Sequence, residues 1–296
     1  MPSVPAPIEI RDLTKRYGRR IGVERLSLQV PPATIYGFLG PNGSGKTTAI
    51  RVLMGLMRPT EGAARVLDRN CWRESARIRA EVGYLPGDVR LYPWMTCRSG
   101  LAIAAAARAR DIVRDGMQLA DRFELDAEVP VQSMSRGMRQ KLGLILALAH
   151  SPRLLILDEP TASLDPIMQS RLYDDLRRRA SQGCTVFLSS HTLSEVEELC
   201  DRVAILRRGR LVSEDTIDNL RRRASRVVTI LWRADVDGRS LAPPPELTLV
   251  RNSNSHWEGH LQGPAADFVR WCATQPIADV TINSPDLARV FRQFYE

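Results

Sequence analysis

A glycine-rich segment near the start of the chain has the residue types and spacing of a phosphate-binding loop. It lies between the apolar stretch Thr34 to Leu39 and a helical pattern that Pro59 ends. Glycines let backbone amides turn towards phosphate oxygens, and a helix that begins here adds positive potential. The lysine of this pattern reaches the β and γ phosphates, and the next hydroxyl can bind Mg²⁺. The predicted nucleotide-binding residues of this segment are Gly40, Pro41, Asn42, Gly43, Ser44, Gly45, Lys46, Thr47 and Thr48.

Two acidic residues follow a stretch that the sequence predicts to be a buried strand. Leu154 to Leu157 is entirely apolar, and Asp158 and Glu159 come directly after it. Parallel sheets bind ligands at the edge where such strands end. We expect Asp158 to hold Mg²⁺, with Thr47 as a second ligand, and Glu159 to take a proton from an attacking water. An acidic pair here can also be a helix cap or a surface turn, but the phosphate loop upstream argues against that alternative.

A third segment makes the pattern specific. Met134 to Gln140 reads Met-Ser-Arg-Gly-Met-Arg-Gln and resembles the signature motif of the ATP-binding cassette family. Further motifs of that family occur in order, namely Tyr17 as an aromatic that would stack on adenine, Ser163-Leu164-Asp165, and His191. Singly, Tyr17 could be an ordinary strand residue and His191 a loop histidine, whereas the ordered set favours the functional interpretation. The resemblance covers about residues 8 to 215.

The resemblance implies that ATP and Mg²⁺ are bound between two head-to-tail subunits. Each nucleotide would lie between the phosphate loop of one subunit and the signature helix of the other. Ser135 and the amide of Gly137 would meet the γ phosphate, and Asp165 would link the two sites across the interface. His191 would contact the γ phosphate and Glu159. The implied catalytic residues are Glu159, His191 and Lys46.

The sequence departs from the family pattern in two places. Family members commonly carry glutamine after the stretch that is Gly83 to Pro86 here, but this chain has Gly87 followed by Asp88. Because glycine has no side chain to bind Mg²⁺, we predict that Asp88 takes part of that role as a metal ligand. In the signature segment, Arg136 replaces a glycine and Met138 replaces a polar residue that would face the ribose, so a contact with the sugar is not predicted.

Both departures are similar to stretches in bacterial exporter ATPases of the ABC-2 type, and the tail helix Pro285 to Tyr295 resembles their closing segment. The resemblance implies a motor subunit on the cytoplasmic face of the cell membrane. Its partners would be a separate transmembrane permease and a second copy of itself or a related ATPase. Several such exporters carry antibiotics or lipids, so we expect a drug, antibiotic or lipid-like substrate.

Two other classes of function are possible for this sequence. A soluble cassette ATPase that acts on nucleic acid or ribosomes would fit the formal charge of +8. However, the chain lacks the second cassette, the long coiled coils and the zinc-binding cysteine pairs of the members that do so, and runs of arginine usually form a solvated helix face. No specific nucleic-acid partner is therefore expected. A regulatory nucleotide switch without a transport partner is the third possibility.

The elements that position these residues predict an α/β fold of the P-loop NTPase type. The predicted nucleotide-binding domain spans residues 1–220, with a helical subdomain at about 88–150, and a small α+β domain spans 225–296. Asp165 followed by Pro166 predicts a helix start. Thr192 with Glu195 predicts a capping box, and Arg202 to Ser213 a hairpin around Gly209.

Beyond residue 225, strands are predicted at Val227 to Trp232 and at Leu247 to Val250. A last helix is predicted to begin at Ser284 and Pro285. Its apolar stripe would consist of Leu287, Val290, Phe291 and Phe294, and packing explains such a stripe better than ligand binding.

Composition agrees with a globular chain of two unequal domains. Of the 296 residues, 44% are apolar, yet no stretch approaches the roughly 18 to 20 apolar residues that cross a bilayer. Met1 to Pro7 has neither the basic start nor the apolar centre of a secretory signal. The five cysteines form no CxxC pair, which predicts free thiols and no metal site of that type.

Overall fold

The computed structural model describes residues 5–285 together with residues 287, 290 and 291. It divides into two compact units, Met1–Glu214 and Asp215–Glu296. Every motif identified above lies in the first unit. Among the described residues, no helix is long and apolar enough to cross a membrane.

The described strands and helices are labelled in chain order. The strands are β1 (Ile8–Tyr17), β2 (Arg20–Val30), β3 (Ile35–Leu39), β4 (Glu61–Val66), β5 (Arg69–Asn70), β6 (Gly83–Leu85), β7 (Leu154–Asp158), β8 (Thr185–Ser190), β9 (Arg202–Arg207), β10 (Arg210–Thr216), β11 (Arg226–Trp232), β12 (Leu247–Asn252), β13 (His256–Leu261) and β14 (Ile277–Pro285). The helices are α1 (Lys46–Leu53), α2 (Ser75–Glu81), α3 (Cys97–Arg108), α4 (Val113–Arg122), α5 (Arg136–Leu148), α6 (Pro166–Ser181), α7 (Leu193–Leu199), α8 (Ile217–Arg223) and α9 (Ala265–Ala273).

The central sheet of the first unit has the strand order β10-β9-β3-β8-β7-β6. Strands β9, β3, β8, β7 and β6 run parallel. Every residue of β3, β7 and β8 is buried, as expected for parallel strands that are covered on both faces. Leu39 pairs with Ser190, and Asp158 pairs with Ser189. The register therefore brings the phosphate loop, the acidic pair and the segment with His191 to one edge of the sheet.

A second sheet, of order β2-β1-β4-β5, completes the first unit. Its strands are antiparallel, and their inward residues share one apolar core with α1 and the central sheet. Strand β1 extends to Tyr17 through several bulges, because bulges let a strand bend and continue. It thereby carries Tyr17 to the side of Thr48, which follows the phosphate loop.

Helices α3, α4 and α5 lie between β6 and β7 in the chain. The hydroxyl of Thr96 and the side chain of Ser99 form a capping box at the start of α3. The Ser135 hydroxyl accepts a hydrogen bond from the Met138 amide and so caps α5. The buried face of α5 includes Leu142, Gly143, Leu144, Ile145 and Leu148.

Two of the three predicted helix starts and turns in the first unit are confirmed, and one is wrong. Asp165 caps α6 by accepting a hydrogen bond from the Met168 amide, and Pro166 is the first helical residue, so that prediction is confirmed. Strands β9 and β10 are neighbours on either side of Gly209, which has a φ of +81°, so the hairpin is confirmed. The capping box at α7 is wrong, because Thr192 makes no side-chain cap and Glu195 is buried.

The second unit is an antiparallel sheet of order β12-β13-β11-β14. Its core includes Trp257 and Trp232, whose rings meet edge to face at 4.8 Å between centroids. Strands β11 and β12 confirm the two predicted strands. The predicted helix start at Ser284 and Pro285 is wrong, because β14 continues to Pro285 in register with Arg226 of β11.

Part of the predicted apolar stripe can be placed in the second unit. Leu287 and Phe291 are buried and Val290 is half-buried, all in helical conformation. Phe294 and Tyr295 lie outside the described residues.

Candidate functional site

The phosphate loop connects the end of β3 to the start of α1. Gly45 precedes α1 with a φ of +109°, and a Cβ at this position would lie 2.3 Å from the carbonyl oxygen of Gly22. Only glycine fits both the backbone conformation and the close approach. The turn is closed by the Ser44 amide, which donates to the Pro41 carbonyl at 3.1 Å. The N-terminus of α1, with its free backbone amides, therefore lies at the loop, and this is the arrangement that binds phosphate.

Lys46 is directed across this loop towards the acidic pair. Its Nζ donates to the carbonyl oxygen of Gly40 at 2.5 Å and lies 3.4 Å from Oε1 of Glu159. The lysine is buried, with only 5% of its surface exposed. A buried cation needs acceptors or an anion beside it; the Gly40 carbonyl is the acceptor and the Glu159 carboxylate is the anion.

Glu159 lies between Lys46 and His191. Its Oε2 is 2.7 Å from Nδ1 of His191. The backbone has the left-handed φ of +53°, and its amide donates to the carbonyl and hydroxyl oxygens of Ser189 at 3.2 and 3.1 Å. This conformation turns the Glu159 side chain away from the strand direction and towards the cleft. The predicted catalytic residues Lys46, Glu159 and His191 thus form one chain of contacts.

Asp158 is fully buried at the end of β7. Its Oδ1 accepts a hydrogen bond from the Ser189 hydroxyl at 2.5 Å, and its Oδ2 has no hydrogen-bond partner. A buried carboxylate oxygen without a partner is costly, and a divalent cation bound directly or through water would satisfy it. The residues present therefore fit Mg²⁺. A Cβ at Gly87 would lie 3.0 Å from Oδ2, so the glycine keeps the space beside this oxygen open.

Lys46, Asp158 and Glu159 line one cleft of about 680 Å³. The cleft combines backbone amides, cations and carboxylates, which is the set that a nucleotide triphosphate and its metal require. Its lining includes Tyr17, Asn42, Gly43, Ser44, Gly45, Lys46, Thr47, Thr48, Gly87, Asp88, Asp158 and Glu159.

Tyr17 stands at the rim of this cleft. Its hydroxyl donates to Sδ of Met57 at 3.0 Å and lies 3.4 Å from Oγ1 of Thr48. These contacts fix the ring while 42% of the residue stays exposed. An exposed, fixed aromatic ring can stack on a base.

Asp88 lines the cleft, but its carboxylate is already paired. Oδ2 accepts a hydrogen bond from Nε of Arg90 at 2.7 Å, and both side chains are mostly exposed. The carboxylate would have to leave Arg90 in order to bind a metal ion.

The signature segment is separate from the cleft. Among the described residues that line the cleft, none comes from Met134 to Gln140 and none is Asp165. Gly137 packs against the segment of Asp165, since a Cβ on Gly137 would lie 2.7 Å from the carbonyl oxygen of Ser163. One chain therefore carries both halves of the predicted nucleotide sandwich, but at different places on its surface.

Two residues for which the sequence predicted no role, Gln140 and Ser189, stabilise the site. Nε2 of Gln140 donates to the carbonyl oxygens of Glu159 and Pro160 at 3.2 and 3.0 Å, which ties α5 to the segment that carries Glu159. Ser189 bonds both to Asp158 and to the Glu159 amide. The available signal was the position of Ser189 at the end of a buried strand beside that of Asp158, whereas no local pattern pointed from Gln140 to Glu159.

Comparisons with known proteins agree with this geometry. The family model described as ABC transporter matches residues 23–162. The chain is 38% identical over 222 residues to the bacitracin transport ATP-binding protein BcrA of Bacillus licheniformis, covering 73% of this chain and 72% of that protein. The chain belongs to the ABC transporter ATP-binding family. As a member of that family it binds and hydrolyses ATP.

Other relatives and solved structures support the same assignment. The Nod factor export ATP-binding protein I of Paraburkholderia xenovorans is 36% identical over 215 residues, which are 71% of this chain and 70% of that protein. An ATP-binding subunit of an ABC transporter superposes with a TM-score of 0.68 at 30% identity, over 73% of this chain and 92% of that one. A dimeric cassette bound to ADP and phosphate has a TM-score of 0.66 at 20% identity, over 71% of this chain and 98% of that one. The predicted P-loop NTPase fold of the cassette type is confirmed.

Proposed function

We propose that this ABC ATPase is the ATP-hydrolysing motor subunit of an ABC-2 type exporter. The observation that carries the proposal is the cleft lined by Lys46 and Glu159, whose carboxylate also contacts His191, in a chain whose relatives include bacitracin transport and Nod factor export ATP-binding proteins. An antibiotic, another drug or a lipid-like molecule is the proposed substrate class. The motor works at the cytoplasmic face of the membrane.

The proposed catalytic roles follow from the contacts. Glu159 is the general base, because its carboxylate reaches the open cleft beside the phosphate loop. His191 holds the other carboxylate oxygen of Glu159 at 2.7 Å and thereby orients it. Lys46 reaches the β and γ phosphates and offsets the charge that develops on the transferred group. Tyr17 stacks on the adenine ring of ATP. The backbone amides from Gly40 to Thr48 bind the phosphates.

Thr47, Asp158 and Asp88 are the proposed residues around Mg²⁺. When bound, this ion would neutralise phosphate charge and fix the position of the β and γ oxygens. The orphaned Oδ2 of Asp158 supports the assignment most strongly, because it lines the cleft and has no other partner. Asp88 is the third candidate by its place on the cleft wall.

We propose a head-to-tail dimer as the working unit. In it, Ser135 and the Gly137 amide of one subunit would meet the γ phosphate held by the other, and Asp165 would connect the two sites. The separation of the signature segment from its own cleft supports this arrangement, since these groups can serve a nucleotide only if another subunit brings one.

The membrane partner is a separate transmembrane permease. An apolar groove of about 380 Å³ lies on the first unit, and Tyr84, Met95, Ile103, Ala104 and Leu146 line it. Ile103 is 48% exposed there, and the stacked rings of Tyr92 and Trp94, just before Met95, are exposed as well. Exposed apolar patches of this kind mark protein interfaces. A cytoplasmic helix of the permease is the proposed occupant.

One experiment tests the catalytic and transport parts separately. Glu159→Gln should bind ATP but hydrolyse it about 10² to 10⁴ times more slowly, as loss of a general base does. The tagged variant is then purified from gently solubilised membranes of its native cells, with ATP and, as a control, without nucleotide. A polytopic membrane protein in near-stoichiometric amount supports the exporter.

Each part of the proposal has its own contradicting result. Ribosomes, nucleic acid or soluble proteins alone in the purified material would contradict transport and leave the ATPase standing. Normal turnover of Glu159→Gln would contradict the role of Glu159.

A further inference from the structure

A buried acidic side chain lies beneath the catalytic residues and has no assigned role. Glu195 projects from α7 into the first unit and is only 4% exposed. Neither of its carboxylate oxygens has a hydrogen-bond partner. Carboxyl groups are rarely buried unless they are paired, so this one calls for a physical explanation.

The bonds that the Ser190 hydroxyl already makes favour the neutral form of Glu195. Ser190 and Thr161 lie beside it. The Ser190 hydroxyl donates to the carbonyl oxygen of Thr192 at 3.1 Å and accepts from the Thr192 amide at 2.9 Å. A serine oxygen has one proton and two lone pairs, so Ser190 has one lone pair left and no proton to offer. A neutral carboxylic acid could donate to that lone pair, whereas a carboxylate could accept nothing from Ser190 unless the bond to Thr192 broke.

The electrostatic surroundings favour the same form. Burial raises the pKa of Glu195, and the negative charge of Glu159 raises it further, while Ser190, Thr161 and His191 lower it. The other titratable groups packed near it are Tyr173 of α6 and Cys200 after α7, and Glu195 contributes to a raised pKa for each of them. Overall, the pKa of Glu195 is raised above its usual value.

We propose that Glu195 is a positioning residue for ATP hydrolysis that acts as a neutral acid. Its proton is donated to the Ser190 hydroxyl oxygen, and this bond fixes the turn Ser190-His191-Thr192. The Ser190 carbonyl accepts from the Gly40 amide at 3.2 Å, and His191 holds Glu159. Glu195 would thus brace the phosphate loop and the general base from one point behind them, without touching nucleotide.

The inference rests on the role proposed above for Glu159 and His191. Loss of the Glu195 proton leaves a carboxylate that competes with Thr192 for the Ser190 hydroxyl. The turn would then shift His191 relative to Glu159, and a displacement of about 1 Å can cost on the order of 10²-fold in rate. Because Glu195 does not touch the nucleotide, the loss should appear mainly in kcat.

The test compares Glu195→Gln with wild type in steady-state ATPase assays from mildly acidic to alkaline pH. Glutamine has the shape of the neutral acid and keeps a donor. We expect Glu195→Gln to match wild type at the acidic end and to exceed it progressively as pH rises, because only wild type loses the proton. Glu195→Ala should lower kcat at every pH. Glu198→Gln, on the same helix but with a side chain that is 58% exposed, is the matched control and should follow wild type.

Infrared spectroscopy gives a readout that does not depend on turnover. The carbonyl band of a neutral carboxylic acid should be present in wild type and in Glu198→Gln, and it should be missing from Glu195→Gln. Parallel pH profiles for wild type and Glu195→Gln, or the absence of that band at neutral pH, would overturn the proposal. Glu159→Gln in the same assay keeps the two ideas apart, because normal turnover there contradicts the role of Glu159 whatever Glu195 does. If Glu195→Ala fails to fold, the glutamine comparison still decides.

Discussion

Glu159 shows how single residues of this site are held in a conformation that they would not choose alone. A non-glycine residue with a φ of +53° is uncommon and costs free energy. Contacts of three groups of its atoms offset that cost, namely the two Ser189 bonds to its amide, the Gln140 bond to its carbonyl, and the Lys46 and His191 contacts of its carboxylate. The proposed general base is therefore placed before substrate arrives, which is the condition for efficient proton transfer.

Asp88 offers a prediction about the metal requirement. If Asp88 replaces the family glutamine as a metal ligand, Asp88→Ala should raise the Mg²⁺ concentration needed for half-maximal ATPase activity. Arg90→Ala, which frees the Asp88 carboxylate from its pair at 2.7 Å, should lower it or leave it unchanged. The measurement is a Mg²⁺ titration of turnover at saturating ATP. An identical titration curve for Asp88→Ala and wild type would show that Asp88 has no such role.

Residues that belong to a local motif could be predicted from sequence, whereas residues that act across the fold could not. The segment Gly40 to Lys46 carries its own spacing, so its place on the cleft was predictable. Thr192, three residues before Glu195, predicts a capping box. The sequence does not reveal that the Glu195 side chain turns inward instead. The pairing of Asp88 with Arg90 likewise depends on how one loop folds.

Helix α6 connects helices α4 and α5 to the central sheet. Asp175 of α6 is fully buried and binds three arginines, namely Arg122 of α4 at 2.7 Å and Arg178 and Arg179 of its own helix at 2.5 Å each. Arg179 also donates to the carbonyl oxygen of Leu148, at the end of α5. One carboxylate thus joins α4, α5 and α6.

The charge of Asp175 yields a prediction about stability. Burial alone would raise its pKa, but Arg179 and Arg178 outweigh this and hold the pKa below its usual value of 3.8. Removing one partner of a buried ion pair costs about 3 to 5 kcal/mol, and two of the three arginines are half-exposed, so we expect Asp175→Asn to lower the free energy of unfolding by roughly 3 kcal/mol. Urea denaturation followed by circular dichroism at neutral pH measures this change.

The pH dependence of that difference has a definite sign. A carboxyl group with a lowered pKa stabilises the fold above its unfolded-state pKa, and the contribution is lost as pH falls through the folded-state value. The gap between wild type and Asp175→Asn should therefore narrow below about pH 4. Asp174→Asn, at the next position with a side chain that is 74% exposed, is the control and should behave like wild type. A gap that is as wide in acid as at neutral pH would mean that the charge of Asp175 is not what stabilises α6.

The order of strands and helices was predictable in the first unit because each element carries its own signal there. Apolar runs predicted β7, and Asp165 with Pro166 predicted the start of α6. The C-terminal unit was harder to predict, since pairing with a distant strand decides where its last strand ends. Ser284 and Pro285 form a good local helix start, yet β11 holds this segment as an edge strand in which the missing proline amide is tolerated.

In the proposed dimer, each subunit would carry one half of each of two nucleotide sites. The phosphate loop and Glu159 line the cleft, while Ser135 and Gly137 lie at the start of α5 away from it. In an isolated subunit the signature residues have no nucleotide to contact. A head-to-tail pair would complete both sites at once by symmetry, and this would make dimerisation depend on ATP.

Mixing two inactive variants tests that composite site. Lys46→Ala disables the phosphate loop and leaves the signature intact. Ser135→Asp leaves the phosphate loop intact and keeps a residue that caps helices well, but it places a negative charge against the γ phosphate. Each variant alone should be nearly inactive, whereas a heterodimer of the two contains one complete site. We expect mixtures that are combined before ATP is added to recover part of the wild-type ATPase activity. Lys46→Ala mixed with Glu159→Gln should recover none, because no pairing of those two chains joins an intact phosphate loop and general base, which one chain must supply together. If Ser135→Asp hydrolyses ATP normally by itself, or if the first mixture stays inactive while its chains are shown to pair, Ser135 does not act on the nucleotide of a partner.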